Sequence, residues 1–345
     1  MLNPFWLDKK ILVTGGAGFI GSHLVERLSA GGARLVRVAD NLERGRIDNV
    51  RESIARPNVD FRQVDLRDRD QAHTVCDGID VVFHLASKVG GIQYYVERLG
   101  EVFRDNSLID QNVWSASISQ DVAYYLYTSS AHIYPIGLQM TPDAPPIVEA
   151  QAYPADPELS YGWAKLLGEK LIQYSIAQDC ITRAVIPRLI GSYGPNQDFN
   201  LATGSAIPVF CRRAIEYPAR GPFIVLGTGA ETRSFHFVQD TIDALLLAVE
   251  ALVTRPDMPP FNLGSEGRVT IREIAETIIS ISGKRIEIQW DTSHPTVIWG
   301  QSFDCSLAAE LLADWKPKVT MRQGLEQCYR HIEARLASSG QILVR

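Results

Sequence analysis

The 345-residue sequence has no apolar run long enough to span a bilayer, no long basic run, and no repeat or low-complexity tract. The first absence argues against a membrane-embedded chain, and the N-terminus shows no secretory apolar region. The second, with a formal net charge of −6, argues against nucleic acid or an anionic membrane as a main partner, although a local basic cleft for a phosphate ligand stays open. Cysteine is scarce and scattered. Cys76, Cys180, Cys211, Cys305 and Cys328 are odd in number and show no CxxC spacing. Neither a disulfide framework nor a zinc site is suggested, so a reduced, cytoplasmic protein without a metal is expected.

What remains is ordinary for a globular chain, 46% hydrophobic and 21% charged. The length exceeds what one compact core usually holds, which implies a large domain with an appended lobe or two domains. Strand-like runs, KILVTGG, ARLVRVADN, VDFRQVDLRD, DGIDVVFHLAS and VAYYLYTSSA, alternate with helix-like segments such as HLVERLSAGG and VFRDNSLIDQNVWSASISQ. That alternation implies a parallel sheet covered on both faces. From about residue 193 it breaks, and Pro and Gly punctuate the chain. A helix-like VQDTIDALLLAVEALV follows, then short strands and helices. The C-terminal part is expected to be a smaller α+β lobe over the sheet edge.

Chemistry is suggested first by VTGGAGFIG. Gly15, Gly18 and Gly21 form a GxxGxxG pattern between a strand and a helix. Such glycines let the backbone approach a pyrophosphate, and the helix N-terminus supplies amide donors. Asp40 ends the next strand, where a carboxylate can take both ribose hydroxyls of NAD and repel the extra phosphate of NADP. Arg44 and Arg46 lie close enough to complicate that preference. Tyr161 and Lys165 are four residues apart in SYGWAKLLGEKLIQY, hence on one helix face. A tyrosine is a poor base at its free pKa of about 10, but an ammonium one turn away and a cationic nicotinamide ring would bring it into a useful range. Ser130 could bond the same substrate oxygen.

With TGGAGFIG, Asp40, VDLRD around Asp65, HLAS at His84–Ser87, Ser130 and Tyr161-x-x-x-Lys165, the chain resembles the extended short-chain dehydrogenase/reductases, the nucleotide-sugar epimerases and dehydratases. YGP at Tyr193, GTGAETRSFHFVQD, FNLGSEGRVTIREIA and the closing LLADWKPKVTMRQGL extend the resemblance over nearly the whole chain. It implies a doubly wound parallel Rossmann sheet at 1–190 that binds NAD. A substrate lobe would follow at 191–345, with chain crossing back near 227–262. The cofactor would lie against Gly15, Gly18, Phe19, Ile20, Gly21, Asp40, Asn41, Asp65, Leu66, Leu85, Ala86, Lys88, Tyr161, Lys165 and Leu189. By the same resemblance, NAD stays bound, oxidises the sugar at C4 and later returns the hydride. The 4-keto stage makes the protons at C3 and C5 acidic. The family's subunit-pairing helices imply a homodimer.

Within the family, ASKVGGIQYY and SSAHIYP are most similar to the GDP-mannose 3,5-epimerase and GDP-fucose synthase subgroup. Gly90 and Gly91 would then lie against the sugar ring. The position of His132 is a cysteine in those enzymes and a glutamate preceded by aspartate in 4,6-dehydratases; here Ala131 replaces that aspartate. The second epimerase acid corresponds to Asn200, which can hydrogen-bond a hydroxyl but not exchange a proton. On the diphosphate side Arg233 is retained, Gly191 stands for an asparagine, and Gln301 and Trp299 stand near a lost arginine. Substrate contacts are thus expected from Gly90, Gly91, Ser130, His132, Asn200, Arg233 and Gln301. With a free pKa of about 6.5, His132 suits proton abstraction at neutral pH. The expected activity is an NAD-dependent nucleotide-sugar epimerase working through a 4-keto sugar, with proton abstraction at C5 or C3. A 4-epimerase or a dehydratase is the alternative, and a catalytically silent NAD-binding regulator is the rival of another class.

Overall fold

The computed structural model describes residues 2–339 except Glu158, Asp179, Ile181 and 294–297. Its centre is a parallel sheet of β1 (Lys10–Thr14), β2 (Leu35–Asp40), β3 (Val59–Gln63), β4 (Val81–His84), β5 (Tyr124–Tyr127) and β7 (Arg183–Val185), in the order β3-β2-β1-β4-β5-β7. Between β5 and β7, a short β6 (Ser129–Ser130) leaves the sheet and pairs with β8 (Pro187–Leu189), beside Phe261–Leu263. The expected α/β class and doubly wound parallel sheet are what the structure has. It adds β7, and it divides the expected VAYYLYTSSA strand at Thr128. There the amide and hydroxyl of Thr128 both donate to the His84 carbonyl, at 3.2 and 2.9 Å.

Among the described residues this half has the α-helices α1 (Phe19–Ala30), α2 (Arg51–Ile54), α3 (Arg69–Cys76), α4 (Ile92–Glu97), α5 (Leu99–Ser119) and α6 (Ser160–Ile176). The central strands β1 and β4 carry near-continuous apolar runs, at 11–13 and 81–83, because both sheet faces are covered. Ile11, Val13, Val38 and Phe83 pack with Leu24, Val25 and Leu28 of α1 on one face. Leu12, Val82, Tyr125 and Tyr127 pack with Val113 and Trp114 of α5 and Ile172 of α6 on the other. Burying each such side chain contributes about 1.5–3 kcal/mol.

Beyond β8 come α7 (Ala206–Glu216), α8 (Val238–Ala251) and α9 (Ile271–Ser282), then the helix Met321–Ser338. α8 lies beside α1 on the sheet. The apolar cluster under that sheet face continues without interruption into Phe210, Phe223, Ile274 and Leu325 of the C-terminal part.

Candidate active site

In a doubly wound sheet the crevice lies at the carboxyl ends of the strands where their order reverses. Here that point is between β1 and β4. Gly15 has φ +66°, and a Cβ on it would sit 2.9 Å from the nitrogen and Cα of Ala86, after β4. A Cβ on Gly21 would sit 2.2 Å from the Gly15 carbonyl oxygen. The turn therefore admits only glycine at both places and leaves a backbone cradle before α1, whose first residues are Phe19 and Ile20. Asp40 is buried at the end of β2; its carboxylate accepts from the Ala17 amide (3.0 Å) and the Leu42 amide (2.8 Å). Burial raises its pKa, and those two amides act against the rise. Asn41 turns back to accept from the Glu43 amide at 2.9 Å.

At the end of β3, Asp65 pairs with Arg67, which holds its carboxyl below the ordinary value, and Leu66 is buried beside it. The amides of Leu85 and Ala86 donate to Thr14 Oγ1, both at 3.1 Å. The buried Lys88 lies among Glu43 (3.0 Å), Glu101 (2.5 Å) and Asp105 (3.0 Å). Burial works against the charge of Asp105, but its bonds to Lys88, Arg104 and Arg67 hold the carboxyl at about 2.

The second group of residues stands where β6 meets α6. Ser130 pairs with Leu189 across β6 and β8, and its Oγ accepts from the His132 amide at 3.2 Å. Tyr161 is in the first turn of α6. Gly162 next to it allows the close fit: a Cβ there would lie 2.1 Å from the His132 carbonyl oxygen. The His132 and Tyr161 rings meet edge to face at 5.8 Å between centroids, and Tyr95 of α4 stacks on Tyr161 at 5.2 Å. Burial, helped by the charge of Arg233, lowers the His132 pKa to about 4. The ring is neutral at pH 7 and is a weaker base than its free value implied.

One turn beyond Tyr161, Lys165 is buried and its Nζ has no hydrogen-bond partner among the described residues. Asp110 Oδ1 is 3.9 Å away, and the Tyr127 ring centroid 4.6 Å. A buried ammonium without a hydrogen-bond partner, together with the glycine cradle and the strand-end carboxylate, fits a dinucleotide, whose ribose hydroxyls are acceptors.

Other expected substrate residues are occupied by protein partners. Gly91 donates its amide to the Thr203 carbonyl at 3.1 Å, closing the Gly90–Gly91 loop on the loop 196–204. Asn200 in that loop is exposed and accepts from the Ala202 amide. Arg233 donates to the carbonyls of Thr232 and Ile298, and Gln301 Nε2 to Gln139 Oε1 at 2.6 Å. Arg44 pairs with Asp198 at 3.2 Å, joining the loop after β2 to the loop 196–204. Sequence reasoning missed Tyr95 and Asp110. The available signal for Asp110 was an acid in the buried stripe of a helix, with Val102, Asn106, Val113 and Ser117 in the same register.

Residues 11–264 match the model of the NAD dependent epimerase/dehydratase family. The chain belongs to that family. It is 30% identical over 335 residues to GDP-mannose 3,5-epimerase 1 of Oryza sativa subsp. japonica, covering 96% of this chain and 84% of that protein. The solved UDP-glucose 4-epimerase of Thermotoga maritima, with UDP-glucose, superposes with a TM-score of 0.83 at 25% identity, covering 95% of this chain and 99% of that one. The UDP-glucuronic acid 4-epimerase of Bacillus cereus, with UDP-glucuronic acid and NAD, gives 0.81 at 26% identity, covering 94% and 99%. This chain is therefore an NAD-dependent enzyme of the sugar-nucleotide epimerase/dehydratase type.

Proposed function

We propose that the chain is a nucleotide-sugar epimerase that passes through a transient 4-keto sugar. The observation that carries the reading is the meeting of Tyr161 and His132 above the unpartnered Lys165 ammonium. Asp40 would hold the adenosine ribose of NAD, Lys165 the nicotinamide ribose, and the 15–21 turn the pyrophosphate. When bound, NAD supplies the hydride acceptor at C4 and returns the hydride afterwards. Tyr161 takes the C4 hydroxyl proton, with Lys165 stabilising the phenolate and Ser130 bonding the same oxygen. His132, neutral in its partly buried site, accepts the proton from C5 or C3, which the 4-keto group has made acidic. Reprotonation of the resulting enediolate on its other face, by a proton drawn from solvent, inverts the centre.

Gly90, Gly91, Asn200, Arg233 and Gln301 would line the sugar-diphosphate half, Arg233 turning from its carbonyls to the diphosphate. We assign 1–190 to cofactor binding and 191–345 to the substrate. Cytoplasmic residence fits the scattered free cysteines. Homodimer formation is supported by exposed apolar residues on α5 and α6: Phe103, Leu108, Trp163, Leu167 and Tyr174.

A 4-epimerase, which needs no carbon acid chemistry, is the second reading, favoured by the depressed His132. One experiment separates them: mass spectrometry of NDP-hexoses and NDP-uronic acids after incubation with the protein in heavy water. Carbon-bound deuterium at C5 or C3 supports the first reading. A product changed at C4 without deuterium supports the second.

A further inference from the structure

The buried polar network under α6 ends on a carboxylate whose charge the site chemistry above does not use. Thr14 Oγ1 accepts from the Leu85 and Ala86 amides, which fills both its acceptor positions. Its hydroxyl proton must therefore point at His84 Nδ1, 2.8 Å away. That fixes the tautomer: Nε2 carries the proton and donates to Asp110 Oδ1 at 3.0 Å. Burial keeps the His84 ring neutral. The other oxygen, Oδ2, accepts from the Tyr127 hydroxyl at 2.6 Å. Asp110 is thus buried with two neutral donors, neither of which cancels its charge. The next turn of α6 packs closely against it: a Cβ on Gly168 would be 2.2 Å from the Tyr127 hydroxyl and 3.0 Å from Asp110 Oδ2.

The groups facing this carboxylate can be named from each packed element. β4 presents His84 and β5 presents Tyr125 and Tyr127. α6 presents Lys165 and, further along, Glu169, which Arg188 of β8 neutralises through two bonds of 3.0 and 2.9 Å. The cation left for Asp110 is Lys165, at 3.9 Å, too far for a hydrogen bond and close enough for a strong charge interaction in a dry site.

We propose that Asp110 is a positioning residue that holds the Lys165 ammonium in place, one helical turn from Tyr161, while leaving its N–H donors free. A direct salt bridge would occupy those donors, whereas a carboxylate one step back supplies charge and leaves them to the cofactor ribose. The proposal rests on the Tyr161–Lys165 reading above.

The test is a phenolate titration by ultraviolet absorbance on NAD-saturated protein. The step present in the wild type and absent in Tyr161→Phe is the titration of Tyr161. No difference between those two proteins near neutral pH would overturn the Tyr161–Lys165 reading itself. With that step in hand, Asp110→Asn, which keeps an acceptor but loses the charge that holds the ammonium, should let the Lys165 side chain leave its place and move the step upward by about 1–3 pH units. Lys165→Met should move it in the same direction. Asp110→Ser, smaller than the residue it replaces, is the second variant. A step at the wild-type pH or below it, in either variant that folds, overturns the proposal. Failure of both to fold would make Asp110 a stability residue and overturn it equally.

Discussion

Two histidines, His84 at the end of β4 and His132 in the turn after β6, differ in how their ring atoms are used. His84 is fully buried, and both its nitrogens are bonded, one to Thr14 and one to Asp110. His132 is only partly buried, and its ring is bordered by the edges and faces of Tyr95 and Tyr161. Burial lowers the pKa of both rings. A pKa shift therefore does not distinguish a structural histidine from a reactive one; the saturation of its nitrogens does. His84 is spent on its bonds to Thr14 and Asp110, while His132 borders Tyr161, where the proposed function would seat the substrate.

The largest expected effect lies on the His132 side. Tyr161→Phe should reduce turnover by a factor on the order of 10² or more while sugar-nucleotide binding stays nearly intact, because a general base contributes mainly in the transition state. Steady-state kinetics with a direct binding assay would check both halves. His132→Asn should abolish deuterium uptake at C5 or C3 yet leave reduction of bound NAD, read by absorbance, in place. Retained uptake would assign the proton transfer elsewhere.

The pH dependence sharpens the contrast. The neutral His132 ring is the form that accepts a proton, and its pKa in the folded protein is about 4. Deuterium uptake should therefore persist as pH falls past the free histidine value and be lost only as it nears about 4. For stability the sign is the same. Both rings are held neutral, so their contribution is present above the unfolded value of about 6.5 and is lost as pH falls below it. Urea unfolding at stepped pH would measure the decline.

On the His84 side the expected loss is in stability. His84→Ala removes a hydrogen bond to a charged group, which costs about 1.5–3 kcal/mol, and leaves a cavity besides. The same truncation at His132 should cost less. In the cofactor crevice, Asp40→Ala should weaken NAD binding by about 1.5–3 kcal/mol, the value of a charge-assisted bond. The smallest effect is expected at Arg44 and Asp198. That pair is partly exposed, and Asp198→Asn should cost no more than about 1 kcal/mol, by thermal melting.

The cofactor crevice was legible in the sequence because its parts are local. Glycine spacing at 15–21, a strand-ending Asp40, and Tyr161 and Lys165 one turn apart each follow from short-range rules. The alternation of strands and helices likewise revealed the parallel sheet. What was not legible depends on contacts between distant segments. Nothing near Asp110 in sequence announces His84 or Lys165. The stacking of Tyr95 on Tyr161 joins α4 to α6. The break at Thr128 arises because its amide and hydroxyl both find the His84 carbonyl, so a run read as one strand becomes two with different partners. The strand β7 was hidden in TRAVIPRLI, where Pro187 interrupts the apolar run. The basicity expected of His132 failed for the same reason: burial and Arg233 are features of the folded site.

The continuous apolar core beneath the sheet and the C-terminal part has a kinetic consequence. Rotating one wall of the crevice away from the other would pull Phe210, Phe223, Ile274 and Leu325 from the packing they share with Val13 and Val38. At about 25 cal/mol for each Å² of apolar surface brought into water, such a motion is expensive. On the proposed function, traffic of the sugar nucleotide would therefore fall to the loops at 90–91 and 196–204. These are held to each other by one backbone hydrogen bond, and the second is held to the loop after β2 by one exposed ion pair. Those contacts are weak enough to part and re-form many times while a bound dinucleotide stays seated, so on that reading exchange of substrate and exchange of cofactor would proceed on separate clocks.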